Sequence, residues 1–220
     1  MSGRSQPAVA VEPETLRPPL QIRSRESLER VLEAGEELLI EKGWDGFTVQ
    51  EVSRRAAVSI GSIYARAPSK EALILAVYDR AIGRVAAENA AALVPDSHWE
   101  DMSPRELIEG AVHEVGRQML RNEAFLRVVM NRSPVDHVLR ERGDKQIGLL
   151  STRWEELLAR HKDAVGHPTP SLAIEMAFRM VFATLARRIA QGPDFGSTRR
   201  VTDDRMLDEL GHAVAAYLLA

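Results

Sequence analysis

Between Thr48 and Lys70 the chain carries Arg54, Arg55, Arg66 and Lys70 against one acid, Glu51, a local charge of +3. The whole chain is −3, so the rest of it sums to −6. A basic island on an acidic protein marks a local phosphate-binding face, not a general affinity for nucleic acid. No other cluster assembles into a mechanism. Asp203, Asp204 and Asp208 resemble an acidic metal site, but Asp203 and Asp204 directly follow the N-cap Thr202, where acids stabilise the helix dipole without a metal. His113-Glu114 lacks the second histidine of a zinc-protease motif, and His161, Asp163 and His167 lack regular ligand spacing. Zero cysteines exclude a disulfide scaffold, a thiolate zinc site and a cysteine nucleophile. Gly61 is isolated, so there is no glycine-rich phosphate loop, and no serine has the flanking glycines of a nucleophile elbow. No catalytic residue, metal or cofactor is expected.

Two short helices must position the basic island. Thr48 is an N-cap for the first, with Glu51 three residues on completing a capping box. Val49, Val52 and Ala56 line its apolar face and leave Glu51, Arg54 and Arg55 on the other. Ala57-Val58-Ser59 is the turn, and Ser59 caps the next helix, Ile60 to about Arg66. Pro68 forbids simple continuation, Ser69 caps again, and Lys70-Glu71 open a long helix. Two helices of roughly two turns joined by a three-residue turn form a helix-turn-helix pattern, whose second helix enters the DNA major groove. Any short amphipathic helix pair reads the same way, so the pattern alone leaves both readings open.

Residues 25–75 resemble the DNA-binding domain of the TetR family of bacterial transcriptional repressors. The likeness is carried by Gly43 and Trp44 at the end of the first helix, then Thr48, the Val58-Ser59 turn, Gly61, Tyr64, and Pro68 to Glu71. Three positions depart from the family pattern. Ala57 stands where glycine is frequent, and Arg66-Ala67 replace the usual His-Phe. An alanine held at positive φ costs on the order of 1 kcal/mol. The lost phenylalanine would have anchored the recognition helix to the long helix after it, and Phe47 is a candidate to refill that space. The resemblance implies that Thr48, Tyr64 and Lys70 hold phosphates, where hydroxyl, ammonium and backbone N–H groups converge. Bases would be read by Ile60, through apolar contact suited to a thymine methyl, by Ser62, and by Arg66 as a further reader. Ser59 and Gly61 complete the candidate DNA-binding set.

Ala, Leu, Glu and Arg dominate the 220 residues and alternating β-branched runs are absent, so the expected fold is all-α, with about nine helices. Residues 1–22, with Pro7, Pro13, Pro18 and Pro19, read as a flexible tail. Its Arg4 and Arg17, followed by Arg23 and Arg25, would suit a minor-groove arm, while a plain disordered leader is the simpler reading. A DNA-binding domain is expected over 23–70 and a ligand-binding and dimerisation domain over 71–220. Ser24 caps the first helix, which runs to about Lys42, and Gly43 supplies a left-handed C-cap. The fourth helix, from Ser69 past Leu93 to Pro95, is the covalent link between the reading head and everything downstream. With no apolar run near ~18 residues and no export signal, a soluble, cytoplasmic protein is expected.

A loop over 96–103 precedes Ser103-Pro104-x-Glu106, a strong helix start. A short apolar helix follows over 123–131. A segment from Pro134 to about His161 is expected to break at Gly143 and Gly148. The next helix, about Ser171 to Ala190, is apolar on nearly every side and must be covered on more than one face. The last, from Thr202, stripes Met206, Leu207, Leu210, Ala213, Val214, Tyr217 and Leu218. The resemblance implies that these last two helices dimerise as a four-helix bundle; completing the monomer's own core is the alternative.

Met102, His113, Met119, Phe125, Met130, Trp154, Met176, Phe178 and Met180 form the candidate ligand pocket, because methionines adapt to varied apolar shapes and bundled helices enclose pockets. Each taken singly reads more simply as core. The reading is a homodimeric repressor released from a palindromic, double-stranded DNA operator by a small, largely apolar effector. A ligand-free DNA-binding dimer, or a helical enzyme or adaptor that kept the fold alone, are its rivals.

Overall fold

In the computed structural model the described residues are 22–94, 98–194 and 198–220. Residues 1–21, where the flexible tail and its basic arm were expected, lie outside them, as do Pro95 and the first two residues of the expected 96–103 loop. Every regular element among the described residues is helical, and the contacts separate into two units, one ending at Ala81 and the other Ile82–Ala220.

Helices α1 (Ile22–Gly46), α2 (Val49–Ala56) and α3 (Ile60–Tyr64) and the first half of α4 (Lys70–Ala92) make the first unit. Leu38, Leu39, Phe47, Val52, Ile63, Leu73, Val77 and Tyr78 form its core. One expectation at α1 changes. Ser24 lies inside the helix and not at its cap, because the helix starts at Ile22 and the serine's hydroxyl serves another partner, Arg66. Gly43 takes the expected positive φ of 64° with non-helical ψ and breaks the long helix after Lys42, as expected; only a short helical turn follows, to Gly46.

The turn between α2 and α3 holds Ala57 at φ 52°, ψ 43°, the left-handed region disfavoured for any side chain with a Cβ. Its surroundings over-determine it. The N–H groups of Ala57 and Val58 both donate to the Ser53 carbonyl, Ser53 Oγ donates to the Val58 carbonyl at 2.6 Å, and Arg30 Nε donates to the Ala56 carbonyl at 3.3 Å. Ala57→Gly is therefore expected to raise stability by about 0.5–1 kcal/mol, since relief of strain exceeds glycine's extra unfolded-state entropy. A denaturant melt measures this; a lower midpoint would show that the entropy term wins.

The second unit adds α5 (Pro104–Arg121), α6 (Glu123–Arg132), α7 (His137–Leu158), a 3-10 turn (Ala159–Ala164), α8 (Pro170–Gln191) and α9 (Asp203–Leu219). The capping box at Ser103 is complete: its hydroxyl accepts from the Glu106 N–H, and its own N–H donates to the Glu106 carboxylate at 2.9 Å. The Ser103 hydroxyl, donating to the Glu106 carboxylate at 2.6 Å, and then the Ser103 N–H hold that carboxyl below its ordinary pKa. Gly143 and Gly148 do not interrupt α7. A mid-helix glycine costs about 1 kcal/mol, too little to outweigh burial of Leu139, Leu150, Trp154, Leu157 and Leu158. The helix starts after Pro134, where Asp136 Oδ1 accepts from the Leu139 N–H.

Helices α5 and α9 pack closely where Gly116 faces Leu207; a Cβ there would lie 2.2 Å from the leucine side chain. Arg188, buried near the end of α8, grips Asp203 with both arms of its fork (2.7 and 2.8 Å) and Glu123 with a third bond (2.8 Å). Asp203 thus serves as an ion-pair partner as well as a first-turn acid, and α6, α8 and α9 are joined at one charged knot.

Helix α8 buries Ala173, Ile174, Ala177, Phe178, Val181, Leu185 and Ile189 on one side, while Leu172, Met176 and Met180 stand exposed on the other at four-residue spacing. The expected cover on more than one face is therefore supplied within this chain on one face. In α9, Leu207, Val214 and Leu218 are buried while Ala213 and Tyr217 are exposed, so its single expected stripe divides into two.

Candidate nucleic-acid interface

Helix α3 has five residues, too few to persist without tertiary support. Ile63, 2% exposed, fixes it to the core. That anchor turns Ser59, Ile60, Gly61, Ser62 and Tyr64 outward, with Ile60 37% and Tyr64 43% exposed. Ser59 Oγ accepts from the Ser62 N–H at 3.2 Å and shares a 2.8 Å hydrogen bond with Ser62 Oγ, so the cap also orients the second hydroxyl. A Cβ on Gly61 would meet nothing within 4 Å, which leaves the outer face of α3 open to close approach.

Around this face the charge is less free than the sequence implied. Thr48 Oγ1 accepts from the Glu51 N–H at 3.3 Å, but the Glu51 carboxylate does not close the expected capping box. It instead accepts two bonds from Arg54 (3.0 and 2.6 Å) and one from Arg55 (3.0 Å). Those guanidinium bonds hold its pKa down to about 2. Arg55 also reaches Glu41 of α1 at 2.6 Å, so Glu41 joins the island and lowers its charge. Arg54 remains largely exposed at 69%, and Lys70 Nζ donates to the Trp44 carbonyl at 3.4 Å.

Arg66 is turned into its own unit. Its Nη2 donates to Ser24 Oγ at 2.7 Å, Ser27 Oγ at 3.1 Å and the Ser24 carbonyl at 3.3 Å. Beside it Leu28, Val31, Ile63, Ala67 and Leu73 line a narrow crevice. Phe47 is fully buried but does not line this crevice; its ring lies against Gly35, so it does not refill the space beside Ala67.

Of the candidate pocket residues, Met119, Phe125, Trp154 and Phe178 are buried, Met102, His113 and Met130 are part-buried, and Met176 and Met180 are exposed on α8. Trp154 donates its indole N–H to the Ile174 carbonyl at 3.2 Å, and its ring lies 6.2 Å from Phe178. His113 Nε2 lies 3.0 Å from Asp208 Oδ1 of α9. The buried four thus sit in the helical core, and the two exposed methionines lie on the uncovered face of α8.

Among the described residues no group of side chains could hold a metal ion and no helix is long and apolar enough to cross a membrane. A capped, outward-facing α3 behind a tight turn defines a helix-turn-helix DNA-binding protein with a helical C-terminal domain. Residues 31–77 match the family model for bacterial regulatory proteins of the tetR family, and residues 103–218, more than half of the chain, match the tetracycline repressor-like C-terminal domain. The chain belongs to the TetR family of transcriptional regulators.

Solved structures share the fold. A protein assigned to the TetR family of regulators from Mesorhizobium loti MAFF303099 matches with a TM-score of 0.69 at 16% identity, over 90% of this chain and 97% of that one. A bacterial regulatory protein of the tetR family from Rhodococcus RHA1 gives 0.64 at 15% identity, over 87% and 96%. The fatty acid degradation regulator FadR from Bacillus halodurans gives 0.60 at 19% identity, over 88% and 95%. No curated protein matches the chain.

Proposed function

We propose that this chain is a homodimeric, cytoplasmic repressor that grips an inverted-repeat operator through α3 and releases it when a small, largely apolar ligand enters its C-terminal domain. The observation that carries this reading is the outward face of α3, where an isoleucine and a tyrosine stay exposed beside oriented hydroxyls and an open glycine. Ile60 suits a thymine methyl and Ser62 can donate or accept at a base edge. Thr48, Tyr64 and Lys70 would hold phosphates on either side, with Ser59 and Gly61 bringing backbone close to the DNA.

The exposed row Leu172, Met176 and Met180, with Tyr217 of α9, supports dimerisation through the last two helices, since a patch of this kind favours a self-complementary contact. Met102, His113, Met119, Phe125, Met130, Trp154 and Phe178 remain the candidate ligand lining; Met176 and Met180 are better assigned to the dimer face. Helix α4 is the covalent connection through which a ligand would act, and coupling must be reciprocal: operator binding weakens ligand binding by the same factor.

Selection of duplexes from a random library tests the reading. The expected product is an inverted repeat with half-sites ~34 Å apart or a multiple of it; a single unpaired half-site would overturn the dimeric mode. On the selected duplex, Lys70→Ala should weaken binding to all sequences and flatten the log–log salt dependence by about one unit. A changed base preference would remove Lys70 from the phosphate-contacting group.

A further inference from the structure

We propose that Arg66 is a positioning residue and not a base reader: it ties the C-terminal end of α3 to the first turns of α1 through Ser24 and Ser27, and so fixes the angle at which α3 meets DNA. The proposal rests on α3 being the recognition helix.

A five-residue helix is placed by its attachments, and α3 has few. Ile63 is its own buried anchor. Just beyond it, Ala67 is buried beside Leu28, Val31, Ile63 and Leu73. Ala67 offers only a methyl group to that contact, and a polar clamp stands beside it. The clamp is chemically complete. Ser27 Oγ donates its proton to the Ser24 carbonyl at 2.9 Å, which leaves its lone pairs to accept from Arg66 Nη2 at 3.1 Å. Ser24 Oγ accepts from the same nitrogen at 2.7 Å, and Nη1 donates to the Ser62 carbonyl at 3.4 Å. The stem of Arg66 also lines the crevice, so the side chain works as packing and as fork together.

This arrangement decides against base reading. A bidentate contact to guanine needs two parallel N–H groups of the guanidinium. Nη2 already serves three oxygens on α1 and Nη1 serves one on α3. Reaching a base would break the α1 clamp at the moment when α3 must be held most firmly. A recognition element works when it is held within about 0.5 Å and 10–20° of its productive pose, and the Ser24–Ser27–Arg66 clamp supplies that constraint.

The test uses the full-length protein and the duplex it selects from a random library, together with every single-base variant of that duplex. Arg66→Ala and the pair Ser24→Ala with Ser27→Ala should each weaken binding by about tenfold. The loss should be the same for every duplex, with base preference and salt slope unchanged. The triple variant should be no worse than Arg66→Ala, because all three residues act through one contact. Ser24→Thr with Ser27→Thr keeps both hydroxyls and should restore binding. In the free protein, the Arg66→Ala and double-serine variants should speed amide exchange at Ile63–Ala67 while the global melt keeps the wild-type midpoint within a few degrees. The proposal is overturned if Arg66→Ala relaxes preference at one base pair while the serine pair binds normally, or if Arg66→Ala lowers the salt slope by about one unit. It is overturned equally by unchanged amide exchange, a result that leaves DNA recognition by α3 standing. A wild-type protein that selects no sequence removes DNA reading itself, and this proposal with it.

Discussion

Met176→Asp combined with Met180→Asp will convert the protein to monomers and abolish operator binding while each chain stays folded. Both methionines are more than a third exposed in the single chain, so the aspartates are solvated there and the core is untouched. In a dimer built on α8 and α9 the same carboxylates would be buried in an apolar contact, facing a second copy of themselves. An unpaired buried charge costs roughly 3–5 kcal/mol, more than a hundredfold in association. Sedimentation and operator titration should fail together. Val214 and Leu207 are unsuitable for this experiment, because both are buried within one chain and a charge there would unfold the monomer. A monomeric variant that keeps full operator affinity would defeat the dimeric reading.

Gly61→Glu will eliminate DNA binding and leave the dimer intact. A Cβ at this position meets nothing within 4 Å, so the substitution places its bulk and charge outside the fold. Glutamate is also a better helix former than glycine, so α3 itself should not weaken. On DNA the carboxylate would stand between the outer face of α3 and the groove, repelled by phosphates and too long for close approach. A loss above a hundredfold is expected in a titration at moderate salt, with unchanged melting temperature and unchanged dimer mass. Retained operator affinity would mean that a different surface contacts DNA.

What the sequence made legible is local. Thr48, Ser59, Ser103 and Thr202 cap the helices they were expected to cap, because an N-cap bonds to a backbone N–H three residues away. The left-handed turn at Ala57 and the positive φ at Gly43 follow from similarly short-range geometry. Illegible features depend on distant partners. Arg66 finds its clamp 42 residues upstream, and Arg188 finds Glu123 65 residues away. No spacing rule ties such positions together, so Arg66 reads in sequence as a free cation on a basic helix. Gly143 and Gly148 mislead for a related reason, since local propensity is outweighed by the burial of Trp154 and its neighbours. Likewise an all-round apolar α8 announces that it must be covered, and only packing reveals that Leu172, Met176 and Met180 are left over.

Sequence-specific DNA binding by a dimer is tested by a competition gel shift with the DNA that flanks the protein's own gene, against a large excess of unrelated duplex. A discrete complex containing two protein chains is expected, which survives the competitor and disappears with Gly61→Glu. A shift that unrelated DNA removes at equal concentration, or one that Gly61→Glu leaves in place, would contradict it.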